Sequence, residues 1–163
     1  MLKYTNYSIV FQEIPDHVTL AINISNCPNR CKGCHSPYLM EDIGEILDKE
    51  SLDKIVEKYQ NAITCVCFMG GDSDPCMVEQ LSLHVRKKTN NHLKTAWYSG
   101  KVSFPETCNV ASFDYIKLGP YIQELGGLDS PTTNQRLYSI SQPPGRTGST
   151  SHLFSHVLLN QAF

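Results

Sequence analysis

The chain has 163 residues, enough for one domain with a hydrophobic core, and its 40% hydrophobic and 18% charged content are those of a globular protein. A formal net charge of −2, with basic residues only in short pairs such as Lys87-Lys88, gives no electrostatic ground for binding nucleic acid. No apolar stretch reaches the roughly 18 residues of a membrane span, and MLKYTNYSIVFQEIP lacks the continuous apolar run of a signal peptide, so the chain is expected in the cytoplasm.

Val18-Thr-Leu-Ala-Ile-Asn-Ile-Ser25 reads as a buried strand leading straight to Cys27. Ser51 can cap a helix whose Leu52, Ile55, Val56 and Tyr59 share one face. Ala62-Ile-Thr-Cys-Val-Cys-Phe-Met69 is a short apolar run stopped by Gly70-Gly71, the pattern of a buried parallel strand ending in a tight turn. Asp74 at the cap and Pro75 in the first turn begin a second helix, with Val78, Leu81 and Val85 toward the sheet. Further strands are expected at Leu93-Lys-Thr-Ala-Trp-Tyr98, ended by Ser99-Gly100, and at Phe113-Asp-Tyr-Ile-Lys-Leu118, ended by Gly119-Pro120. Strands alternating with helices predict an α/β fold with a parallel sheet and right-handed crossovers. Ligands of such sheets sit beyond the carboxyl ends of the strands. Cys27, Gly70-Gly71 and Gly119 all fall there, so they are expected to converge on one rim. From about Ser139 a Pro/Gly/Ser/Thr-rich stretch reads as loop or disorder, dividing the chain into a domain over 1–138 and an atypical tail over 139–163.

Seven cysteines in a reducing compartment read as metal ligands or reactive thiols, and an odd number cannot pair completely. Cys27-Pro-Asn-Arg-Cys31-Lys-Gly-Cys34 places three thiolates on one segment, and thiolates are the soft donors that iron–sulfur clusters require. Pro28 and Gly33 favour a tightly wrapped loop. Three cysteines leave one iron of a 4Fe–4S cluster without a protein ligand, much as a catalytic zinc keeps an open position. Structural zinc is the alternative, and it needs four ligands. His35 is awkwardly placed beside Cys34 for that duty. The other close pair, Cys65-Val-Cys67, lies inside an apolar strand and is expected to send its thiols to opposite faces. Cys65, Cys67, Cys76 and Cys108 read as small buried or incidental thiols.

The spacing CxxxCxxC after the first core strand resembles the signature of the radical S-adenosylmethionine superfamily, and Met69-Gly-Gly-Asp72 resembles its Gly-Gly-Glu/Asp motif. More narrowly, CPNRCKGCHSPY, Gly70-Gly71-Asp72, Trp97-Tyr98-Ser99-Gly100 and Ser130-Pro-Thr-Thr-Asn134-Gln135-Arg136 resemble, in order, segments of the activating proteins of anaerobic ribonucleoside-triphosphate reductase. The likeness covers about residues 5 to 138. It implies a shortened, incomplete (β/α) barrel, with Cys27, Cys31 and Cys34 holding a 4Fe–4S cluster. The backbone around Gly33 and His35 would lie against the adenosyl part of S-adenosylmethionine, though His35 reads equally as a solvated loop residue. Gly70, Gly71 and Asp72 would hold the methionyl ammonium.

The activity implied is reductive cleavage of S-adenosylmethionine to a 5′-deoxyadenosyl radical. That radical would generate a glycyl radical on the large subunit of the reductase, fed by an electron donor such as flavodoxin. Asn134-Gln135-Arg136 would contact cofactor or partner, or merely close the fold. Two stretches depart from the pattern: Lys117-Leu-Gly-Pro120 stands where relatives often have an acidic-glycine pair, with Lys117 expected at the surface, and the tail resembles nothing in the family. The alternatives are an activase of another glycyl-radical enzyme, of the pyruvate formate-lyase type, and a non-catalytic zinc module.

Overall fold

A computed structural model describes residues 1–140 and the strand at 156–158; the rest of the expected loop-like tail lies outside the described residues. In chain order the elements are β1 (Lys3–Val10), β2 (Thr19–Ile24), β3 (Glu45–Ile46), α1 (Lys49–Tyr59), β4 (Cys65–Met69), α2 (Pro75–Lys88), β5 (Lys94–Tyr98), β6 (Tyr115–Leu118), β7 (Arg136–Ser139) and β8 (His156–Leu158). The strands form one open sheet in the order β3-β1-β2-β4-β5-β6-β7-β8. The fold is α/β, as expected, but the sheet is mixed. β2, β4, β5 and β6 run parallel. β1 and β3 on one side, and β7 and β8 on the other, are antiparallel additions.

The purely parallel expectation fails at β1 because Lys3–Val10 mixes exposed and half-buried positions and so lacks the apolar run of an inner strand. The β5–β6 crossover contains a single 3-10 turn at Val110–Ser112 where an α-helix is usual.

Helix α1 starts one turn before the expected cap. The Asp48 carboxylate accepts from the Ser51 amide at 2.9 Å while the Ser51 hydroxyl accepts from the Asp48 amide at 2.9 Å, so Ser51 is the second half of a capping box. Asp74 caps α2 as read, accepting from Met77 N, with Pro75 at a position whose missing N–H costs nothing. Arg86, Lys87 and Lys88 in its last turn complement the helix dipole.

Strand alternation sorts the core into two faces. Leu20, Ile22, Val66, Phe68, Trp97 and Ile116 meet Leu52, Ile55 and Val56 of α1 and Val78, Leu81 and Val85 of α2. The other face carries Cys65, Cys67, Ala96 and Leu137, covered by Ile14 from the β1–β2 connection. Residues two apart in a strand share a face, so Cys65 and Cys67 lie together, and the expectation of opposite faces is wrong. The Tyr98 hydroxyl donates to the Glu13 carbonyl, and the His17 ring bridges the Thr64 and Tyr115 hydroxyls at 2.9 and 3.1 Å, fixing that connection to the sheet.

Candidate functional site

Chain leaving the carboxyl end of β2 enters the cysteine loop through Asn26 and Arg30, both with positive φ (57° and 47°), and Gly33 adds a third left-handed residue at 73°. Such residues reverse the chain in few steps, which lets one short segment carry three cysteines in a compact loop. The neck is closed by backbone hydrogen bonds from Asn26 N to Glu41 O and from Cys27 N to Leu39 O, both 2.9 Å. Leu39 belongs to a 3-10 turn at Pro37–Met40, and Glu41 is the residue that ends it.

Cys27, Cys31 and Cys34 are free and half-buried. Among the described residues no three His, Cys, Asp or Glu side chains are grouped as ligands of a single metal ion. The thiolates of a 4Fe–4S cluster each bind a different iron, so such a set stands further apart than the ligands of one zinc. Two N–H groups already face the sulfurs: Asn29 Nδ2 lies 3.7 Å from Cys27 Sγ, and Ser36 N lies 3.4 Å from Cys34 Sγ. Hydrogen bonds of that kind tune and retain iron–sulfur clusters. Donor chemistry and surroundings therefore fit the cluster.

At the neighbouring end of β4, Gly70 and Gly71 both take positive φ, 98° and 90°. A Cβ on Gly71 would lie 2.5 Å from Val78 Cγ2, so the turn is pressed against α2 and only glycine fits. The Gly70 carbonyl accepts from Trp97 Nε1 at 2.7 Å, and the Gly71 carbonyl from Asp74 N. Asp72, next in the chain, is 8% exposed. Its carboxylate accepts from Asn29 Nδ2 at 2.5 Å, Ser99 Oγ at 2.6 Å and Gly100 N at 2.8 Å. The cysteine loop, the Gly-Gly turn and the Ser99-Gly100 end of β5 thus meet, as the common-rim expectation requires.

The stretch after β6 forms another wall. The Tyr121 ring lies 4.6 Å from the exposed His35 ring, and Gln123 fills the space where a side chain on Gly33 would go. Asn134 Nδ2 donates to Pro120 O, and Gln135 Nε2 to Gly119 O. Arg136 turns back to the carbonyls of Thr133 and Gln135. The Asn-Gln-Arg segment therefore ties β7 to the Gly119-Pro120 turn, although Asn134 Oδ1 is buried without a partner.

Lys117 overturns its surface assignment: it is 8% exposed, its ammonium 3.2 Å from the Gly119 carbonyl and 5.6 Å from the Tyr98 ring centre. Burial pulls its titration below the ordinary lysine value, while Asp72, Cys31, Cys67 and Cys27 pull the other way. A lysine between Ile116 and Leu118 in a strand predicted to be buried was the available signal. Asn29 left a weaker one, since asparagine between two ligand cysteines also suits an ordinary turn.

Fold and site together define an iron–sulfur protein. The 4Fe–4S single cluster domain family matches residues 17–119, from the approach to β2 through the end of β6, and the chain belongs to that family. Neither the curated proteins nor the solved structures provide a match.

Proposed function

We propose that this protein is a radical S-adenosylmethionine activase that generates the glycyl radical of an anaerobic ribonucleoside-triphosphate reductase. The observation that carries the reading is the junction of a three-cysteine loop with a Gly-Gly-Asp turn at the carboxyl ends of adjacent parallel strands. On this reading β2, β4, β5 and β6 are the shortened barrel, and the antiparallel strands are its margins.

Cys27, Cys31 and Cys34 would hold three irons of a 4Fe–4S cluster, leaving the fourth for the methionyl group of S-adenosylmethionine. When bound, cluster and cofactor together supply one-electron cleavage of the sulfonium bond, yielding methionine and a 5′-deoxyadenosyl radical that takes a hydrogen atom from a glycine Cα. Gly70, Gly71 and Asp72 would hold the ammonium end, with the Gly70 and Gly71 carbonyls also accepting from Trp97 Nε1 and Asp74 N. His35 and Tyr121 form a lip over the cysteine loop. Lys117 would supply buried positive charge beside Cys27 and Cys31, favouring the more negative, reduced form of a cluster held there. The electron comes from a donor such as flavodoxin, and the partner is the large, glycyl-radical subunit.

The test is anaerobic reconstitution with iron and sulfide, reduction with dithionite, and assay of 5′-deoxyadenosine, with Cys31→Ala as control. Four irons and product from the wild type alone, stimulated by the reductase subunit, are expected. One zinc without sulfide overturns the reading in favour of a zinc module. Transfer of the radical to a formate-lyase-type enzyme in preference to the reductase reassigns the partner.

A further inference from the structure

Asp72 sits where the proposed reading puts a ligand for the cofactor's ammonium, yet its carboxylate is already engaged. A carboxylate offers about four acceptor positions, and Asn29, Ser99 and Gly100 occupy three of them at 2.5–2.8 Å. The three donors come from different places: Asn29 lies in the loop after β2, and Ser99 and Gly100 end β5. Asp72 itself follows β4, which pairs with both. One buried carboxylate therefore joins the carboxyl ends of three adjacent parallel strands.

Surrounding packing is arranged for the same contact. A Cβ on Gly100 would fall 2.3 Å from Asn29 Nδ2, so the missing side chain makes room for the asparagine. Ser99 Oγ, donating to Asp72, also accepts from Lys101 N at 3.0 Å, which fixes the hydroxyl's direction. Asn29 is midway between Cys27 and Cys31, and its amide also faces Cys27 Sγ. Whatever holds the Asn29 side chain sets how the first two thiols are presented.

We infer that Asp72 is a positioning residue that locks the cysteine loop through Asn29 and so governs cluster retention, beyond any contact with the cofactor. The inference rests on the iron–sulfur reading of the loop. It predicts that Asn29 and Asp72 act as a pair, although Asn29 belongs to no ammonium site.

The test uses the full-length chain, reconstituted anaerobically without S-adenosylmethionine, and follows iron release to a ferrous chelator. Asn29→Ala and Asp72→Ala are each expected to release iron on the order of tenfold faster than wild type, as loss of a partner behind a ligand does elsewhere. Combining Asn29→Ala with Asp72→Ala is expected to release iron no faster than the faster single variant, because both remove the same contact. Thermal unfolding of the cluster-free Asn29→Ala protein serves as the fold control and is expected to stay close to wild type. Wild-type retention in Asn29→Ala overturns the inference, as does an Asp72→Ala protein that keeps iron as wild type does. A wild type that takes up no iron and sulfide overturns the iron–sulfur reading, and this inference with it.

Discussion

Replacing Gly71 by alanine tests the steric account of the Gly-Gly turn. The new Cβ would meet Val78 Cγ2 at 2.5 Å and Ile24 Cδ1 at 3.3 Å, on a backbone with φ of 90°. Left-handed strain in a residue with a side chain costs about 1–2 kcal/mol, and forcing a methyl into a packed core costs roughly 1–3 kcal/mol more. The sum, about 2–5 kcal/mol, corresponds to a fall in Tm of roughly 5–15 °C for a chain of this size. Gly70→Ala, whose nearest obstacle is the Ile24 carbonyl at 3.1 Å, shares the strain but meets less of the clash. Urea unfolding of the cluster-free proteins should rank wild type above Gly70→Ala and Gly70→Ala above Gly71→Ala. Adding Val78→Ala to Gly71→Ala should then cost less than it does in wild type, because the clash and the new cavity offset each other. A Gly71→Ala protein within about 1 kcal/mol of wild type, or strict additivity with Val78→Ala, would refute the reasoning.

Lys117→Met should make the cluster harder to reduce, because it removes a buried positive charge that interacts with the Cys27 and Cys31 thiols, a shift on the order of tens of millivolts read by redox titration. An unchanged potential would remove the lysine from the electrostatics of the site. Burial first, then Lys94, lowers the His17 titration, outweighing Asp114 and Asp16. The unfolded state then binds the proton more readily, so stability should be intact above pH ~6.5 and fall as pH drops below it toward the depressed folded value. His17→Asn should flatten that part of the stability–pH curve. Burial pushes the Cys65 thiol up to about 12 and that of Cys67 well above the usual value. Iodoacetamide at pH 8 should therefore label exposed Cys76 in the native cluster-free protein and reach Cys65 and Cys67 only after unfolding, as peptide mass mapping would reveal.

The parallel core could be read from the chain because each inner strand is an apolar run stopped by glycine. Ala62-Ile-Thr-Cys-Val-Cys-Phe-Met69 before Gly70-Gly71 illustrates this, and both helices carry their apolar residues on one face. The antiparallel margins could not be read so easily. In β1 the burial pattern is irregular and interrupted by a register shift between Tyr4 and Asn6, and β7 is four residues long. Neither offers a period long enough to stand out. Ligand spacing singled out the three cysteines as candidates, since it depends only on residue type and separation. Asn29 and Lys117 depend on which strands are neighbours, information that local sequence does not hold. The Cys65–Cys67 misreading was of another kind: the strand was correctly placed, and its two-residue period was misapplied.

The connection around Ile14 seals the sheet's second face, with Ile14 fully buried over Cys65, Cys67 and Ala96 and the Glu13 carbonyl held by Tyr98. That plug and the rim lie at different parts of the same strands: Ile14 sits over Cys65, Cys67 and Ala96, while the cysteine loop and the Gly-Gly turn begin where β2 and β4 stop. On the proposed reading, small cofactor and bulky protein partner both come to that rim. Seating S-adenosylmethionine before the partner docks would then be the productive order.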